Sequence, residues 1–311
     1  MKPLKTALAA IATLALASAM VLAGSTAAQA YPATPAEVNA VVFTNGLVND
    51  TSSGQEVENE TAVLTGLGIT VTPFDGGDGS ADAWIAALAG QHLLVLPELE
   101  SSDNNPFYEP GGTPWVSDAA LQVIKDWVDA GGYVIINGHH STPDYTPMLL
   151  AFTGKDYAPV FTTSNDNTLS WDLQVPLSTS DPLAYVNGTY GLQEYGTWSD
   201  DLKSIVTPIY LTTDGQDMAV GTFGVGAGVV IYIGYDWYPD DEDNPGGIPY
   251  WGELLELAAS GELPFAPQPI YVAPAAPALA ATGFDFVPTA AIAGVLLLAG
   301  GAFLLLRRRT V

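Results

Sequence analysis

Cysteine is absent from the 311 residues. Disulfide scaffolding and thiolate nucleophiles are excluded with it. Basic residues are scarce as well, 8 Lys plus Arg against 34 Asp plus Glu, for a formal net charge of −26. Five of the eight are Lys2, Lys5, Arg307, Arg308 and Arg309 at the two ends. Of the acids only Asp285 lies outside residues 31–282, so that stretch holds 33 acids against 3 lysines, a net charge of −30. A surface of this kind repels nucleic acid phosphates and anionic lipid, and it favours divalent cations, cationic partners or plain solubility. Nucleic acid is therefore not an expected partner. Hydrophobic residues make up 48% of the chain, far more than a disordered chain carries. Internal repeats at periods of about 20 to 50 residues are also missing, which argues against a stacked array.

Apolar segments occupy both ends. Lys2 and Lys5 precede an apolar run from Ala7 to Ala23, and small residues then close with Ala28-Gln29-Ala30 before Tyr31. A short basic region, an apolar stretch and an A-x-A ending make residues 1–30 a secretory signal peptide. No Cys follows the run, so a lipid anchor at that point is excluded. At the other end Val287 to Leu306 gives 20 residues without a charge. A helix of that length, at about 1.5 Å per residue, spans about 30 Å, the hydrocarbon thickness of a bilayer. Arg307-Arg308-Arg309 follows and keeps the tail, residues 307–311, cytoplasmic by the positive-inside bias. One C-terminal transmembrane helix is thus expected.

Just before that span stands Leu279-Ala280-Ala281-Thr282-Gly283. It resembles the LAXTG variant of the LPXTG cell-wall sorting signal of Gram-positive surface proteins, in which pentapeptide, apolar span and basic tail follow in that order. The resemblance implies sortase as a partner: cleavage between Thr282 and Gly283, transfer of the Thr282 carbonyl to an amine of the peptidoglycan precursor, and loss of residues 283–311. Ala280 in place of Pro is similar to the signals of high-GC Gram-positive bacteria. It implies too that the chain is held in the membrane before sorting and covalently attached to the wall afterwards.

Between the ends, residues 31–263 have the length of one extracellular domain. Residues 264–278 carry Pro264, Pro267, Pro269, Pro274 and Pro277 among alanines, which favours an extended wall spacer. The first half of the domain alternates strand and helix signals. Ala40 to Phe43, Ile69 to Phe74, Leu93 to Leu96 and Tyr133 to Ile136 read as strands. Val57 to Leu67 predicts a helix with Val57, Thr61 and Leu64 on its inner face and Gly68 as its stop. Ser80 and Ser117 are expected to cap two more, the second burying Leu121, Ile124 and Val128 and ending at Gly131-Gly132. Such alternation predicts an α/β fold, a parallel sheet with helices on both faces. Beyond Phe152 the strands become polar and aromatic, with Asp214-Gly215 as a hairpin signal. That half is expected to complete the same sheet, with a β-rich insertion at residues 155–200 and a last helix from near Pro249 to Gly261.

Ligands of open α/β sheets bind beyond the carboxyl ends of the strands. The polar residues leaving the expected strands are Asn45 after the first, Glu98 and Glu100 after the third, Asn137, His139 and His140 after the fourth, and Asp236 and Trp237 after the late strand. These eight form the candidate ligand site. Glu98 and Glu100, two apart, would share a face and offer a carboxylate pair for acid-base work on a glycosidic bond. Adjacent histidines point differently and lack a third ligand for zinc. Ser141 lacks the G-x-S-x-G elbow of a hydrolase nucleophile. Asp240, Asp241 and Asp243 offer the hard oxygens calcium takes, without the spacing of an EF-hand loop.

The run Gly131-Gly132-Tyr133-Val134-Ile135-Ile136-Asn137-Gly138, followed later by Gly234-Tyr235-Asp236-Trp237, resembles the class I glutamine amidotransferase-like fold over residues 38–262. The resemblance implies a flavodoxin-like or amidotransferase-like sheet. Active members carry a Cys on a tight turn after a strand; the comparable turn here is Asn137-Gly138-His139-His140, and it has none. The expectation is a secreted, wall-anchored surface protein whose α/β domain binds a ligand or partner without catalysis and with no cofactor beyond a possible calcium ion. Two alternatives stand beside it: a wall-attached glycan hydrolase using the strand-end carboxylates, and an acidic adhesion or spacer module stiffened by calcium.

Overall fold

The structure is a computed structural model, and it describes residues 31, 34–48, 56–99, 107–108, 111–137, 148, 152, 160–163, 171–178, 181–183, 194–197, 205–213, 215, 217–235, 237 and 247–265. By contacts the chain divides into Met1–Pro269 and Ile270–Val311. The signal peptide, the spacer beyond residue 265, the sorting pentapeptide Leu279 to Gly283 and the apolar span 287–306 lie outside the described residues. Among those described, no helix is long and apolar enough to cross a membrane.

A 3-10 turn at Pro35–Glu37 leads into β1 (Asn39–Phe43), α1 (Glu56–Gly66), β2 (Thr70–Phe74), α2 (Ala81–Leu88), β3 (Leu93–Leu96), α3 (Asp118–Asp129) and β4 (Tyr133–Asn137). Short strands β5 (Val160–Thr163), β6 (Trp171–Leu173) and β7 (Glu194–Thr197) follow, then β8 (Thr207–Thr212), β9 (Asp217–Val225), β10 (Gly228–Ile233) and α4 (Gly247–Ala259). The local signals act as expected. Ser80 Oγ accepts from the Ala83 amide at 3.2 Å, and Ser117 Oγ from Ala120 at 3.1 Å, each meeting one of the orphan donors of a first turn. After α1 the chain turns at Gly68, φ 87°, which lets the Ile69 amide reach back to the Leu64 carbonyl and close the last turn.

All ten strands join one sheet, in the order β2-β1-β3-β4-β10-β9-β7-β5, with β8 on β9 and β6 on β8. The pairings β2-β1, β1-β3, β3-β4 and β4-β10 are parallel. From β10 onward every pairing is antiparallel. The sheet is therefore mixed, and the expectation of a parallel sheet holds for the half built by β-α-β crossovers. β8, β9 and β10 follow one another through links too short for a crossover helix, so they return antiparallel. β5, β6 and β7 fall within residues 155–200, and they extend the same sheet. Pro73, which has no N–H to give, sits on the outer strand β2.

Alternate residues of the central strands enter two cores. Val41, Phe43, Leu94, Leu96, Val134 and Ile136 pack beneath α2 and α3. Ala40, Val42, Leu93, Val95, Ile135 and Ile231 pack beneath α1 and α4, against Leu64, Trp251, Leu254 and Ala258. Strands buried on both faces need apolar side chains at every position, which is why β3 reads Leu-Leu-Val-Leu.

Candidate functional site

The parallel strands point their carboxyl ends to one edge of the sheet. Chain order reverses between β1 and β3, since β2 lies on one side of β1 and β3 on the other. Side chains leaving strands at such a reversal face a crevice rather than a neighbouring crossover. Asn45 follows β1 and Glu98 follows β3; both are buried, as is Asn137, the last residue of β4. The Asn45 Oδ1 accepts from the Leu47 amide at 2.8 Å and fixes the turn, and its Nδ2 has no partner. Glu98, which as the end of a strand reads as solvated, is only 2% exposed.

Asn137 organises the edge. Its Nδ2 donates to Glu60 Oε1 at 2.7 Å and to the Leu96 carbonyl at 3.3 Å, while its Oδ1 accepts from Trp237 Nε1 at 3.0 Å. Both ends of one amide are thus used, tying α1, β3, β4 and the segment after β10 together. Trp237 is held again through its backbone carbonyl, which accepts from Asn59 Nδ2 at 2.9 Å. It is the one non-glycine residue among the described residues with a left-handed backbone, φ 55°. A bulky residue adopts that conformation only where its surroundings enforce it, at a cost of about 1–3 kcal/mol. The two hydrogen bonds and the Tyr235 ring, 5.0 Å away edge to face, supply the enforcement. Tyr235 in turn stacks on Trp251 of α4 at 5.0 Å, interplanar angle 8°.

Glu60 is the charged residue that the sequence reading passed over. It is fully buried, against the Asn137 amide. Burial pushes its carboxyl up to about 8, against the opposing pull of the Asn137 hydrogen bond. At neutral pH the side chain is mostly the uncharged acid, and its Oε2 has no partner. A neutral carboxyl can donate as well as accept, which a carboxylate cannot. The signal for it was present: Glu60 stands three after Val57 and four before Leu64, in line with the apolar stripe. The inner face of α1 runs through Glu60 and Leu64, and Thr61, expected there, is only half-buried.

Of the eight strand-end residues expected to form the site, Asn137 and Trp237 are brought into direct contact, and Asn45 and Glu98 are buried at the ends of adjacent strands. Glu100, His139, His140 and Asp236 lie outside the described residues, as do Ser141 and the calcium candidates Asp240, Asp241 and Asp243. Among the described residues, no three acidic or histidine side chains converge as a metal site would require. Chemically, the arrangement is a proton-holding carboxyl and an amide brace set behind the strand ends, with Asn45 Nδ2 buried and unpartnered at the reversal point.

No family model matches the sequence, and no curated protein is similar to it. Solved structures resemble the fold. A cytoplasmic protein of Salmonella typhimurium LT2 aligns over 71% of this chain and 98% of its own, at 11% identity and a TM-score of 0.44. A ThuA-like protein of Bacteroides uniformis aligns over 75% and 94%, at 13% identity and 0.43. The cold-adapted β-galactosidase of Rahnella sp. R3 aligns over 76% of this chain but 32% of its own, at 14% identity and 0.41.

Proposed function

We propose that this chain is a secreted surface protein, anchored to the Gram-positive wall through Thr282, whose flavodoxin-like domain binds a ligand at the carboxyl edge of its parallel strands without covalent catalysis. The order of signal peptide, spacer, sorting pentapeptide, apolar span and arginine tail supports the location. The binding role rests on one observation above all: Asn137 holds a neutral Glu60 and a conformationally strained Trp237 at the strand ends, and Asn45 Nδ2 is left unpartnered after β1. Strain and unpaired polar groups collect where a site is preorganised for a ligand. The amidotransferase-like chain lacks the Cys on which that family's thiol chemistry depends, which favours recognition over turnover.

Two experiments test the proposal. In wall fractions, the wild-type protein should be released only by muralytic digestion, and the T282A variant should stay with the membrane; a T282A chain still covalently joined to the wall refutes anchoring. With soluble peptidoglycan fragments as the probe, a binder shows saturable affinity and no turnover, and E98Q retains the fold. Hydrolysis of the fragments that E98Q abolishes would instead establish the glycan hydrolase.

A further inference from the structure

At the opposite edge of the sheet, before β3 and β4, the C-terminal ends of α2 and α3 converge over a crevice of about 330 Å³. That volume falls in the range of small-ligand sites. Its apolar wall is Ile85, Leu88 and Val123, and Trp127 supplies an aromatic side. The Trp127 ring is held against the chain at Gly132, where an added Cβ would lie 2.5 Å from it. Ile85 is 53% exposed, the one large hydrophobic residue so exposed among the described residues.

The charged group of the crevice is a carboxylate, while its neutral polar groups, the Gln91 amide and the His92 Nε2–H, include donors. Gln91 Oε1 is buried with no partner. Asp126 brings a carboxylate, and neither helix carries a basic residue in its last turn to offset the partial negative charge of its carbonyl end. Lys125 is not part of the lining. His92 adds no positive charge at neutral pH, because burial lowers its pKa and its Nδ1 accepts from the Asn39 amide at 3.1 Å. An anion would meet carboxylate and helix C-termini here. A cation with an apolar body would meet an aromatic side, aliphatic contacts and acceptors, and the acidic chain would draw it in.

We infer that the crevice between α2 and α3 is a second binding site, for a small organic ammonium whose apolar part packs on Trp127, Leu88 and Val123 and whose charged group meets the Asp126 carboxylate. This site is distinct from the strand-end site and does not depend on it. Its test is calorimetric titration of the full-length chain with benzylammonium, benzyl alcohol and benzoate. Benzylammonium should bind saturably at millimolar concentration, about tenfold more tightly than the alcohol, with benzoate silent. D126N, at an exposed position, should weaken benzylammonium about fivefold. A89W should block it by filling the mouth. Equal binding of ammonium and alcohol, absence of saturable binding, or an unchanged affinity in D126N would overturn the inference; D126N keeps the test decisive if A89W does not fold.

Discussion

Replacing Glu60 with Gln should change how stability depends on pH more than how stable the protein is in acid. In the folded chain the Glu60 carboxyl titrates at about 8, raised by burial from an ordinary 4.5. A group whose folded pKa is raised holds its proton in the native state after the unfolded chain has lost it. Its favourable contribution is complete below pH 4.5 and is lost as pH rises through 8. At about 1.4 kcal/mol per unit, the loss between about pH 5 and about pH 9 comes to about 4 kcal/mol. Gln keeps the acceptor for Asn137 Nδ2 and has no proton to lose, so E60Q should be nearly isoenergetic with wild type at pH 5 and more stable by about 4 kcal/mol at pH 9. Urea unfolding of both chains at each pH measures this. Comparing the two removes the general repulsion among the other acids, which is common to both. Parallel pH profiles for wild type and E60Q would refute the reasoning, since they would mean that Glu60 ionises in the fold as readily as in the open chain.

N137A should destabilise the protein by about 2–4 kcal/mol in urea unfolding, because it strands Glu60 Oε1 and the Trp237 indole N–H in a buried place; a loss under about 0.5 kcal/mol would mean the brace carries no load. The predicted signal-peptide cleavage leaves Tyr31 as the first residue, and its hydroxyl donates to the Ala259 carbonyl at 2.7 Å while its ring stacks on Tyr133 at 3.8 Å. Y31F should cost about 1 kcal/mol, and Y31A about 3 kcal/mol with the added loss of ring packing, both read as shifts in the urea midpoint.

Much of the local structure was legible because its causes are local. Ser80 and Ser117 cap helices through their own side chains, Gly68 ends α1 through its own backbone freedom, and the Leu93 to Leu96 run is apolar because both of its faces are covered. Burial at strand ends was less legible. Glu98 is a polar residue just past a strand, and nothing near it in sequence says that the chain closes over it. Glu60 looked like one acid among several in Glu-Val-Glu-Asn-Glu, yet it faces inward because α4 packs beside α1 and Asn137 arrives from 77 positions away.

The excluded chemistries and the α/β alternation were determined by the sequence by itself, and the proposed address segments rest on it alone. Export and sorting signals are read as linear peptides by other machines, a missing Cys is missing in any fold, and periodicity reflects which side of one element meets the core. Only the tertiary structure decided that β10 lies parallel to β4 and antiparallel to β9, that Asn137 joins Glu60 to Trp237, and that α2 and α3 leave a crevice at the far edge. Each of these depends on groups far apart in the chain, whose meeting is fixed by strand order and helix packing rather than by any neighbour in sequence.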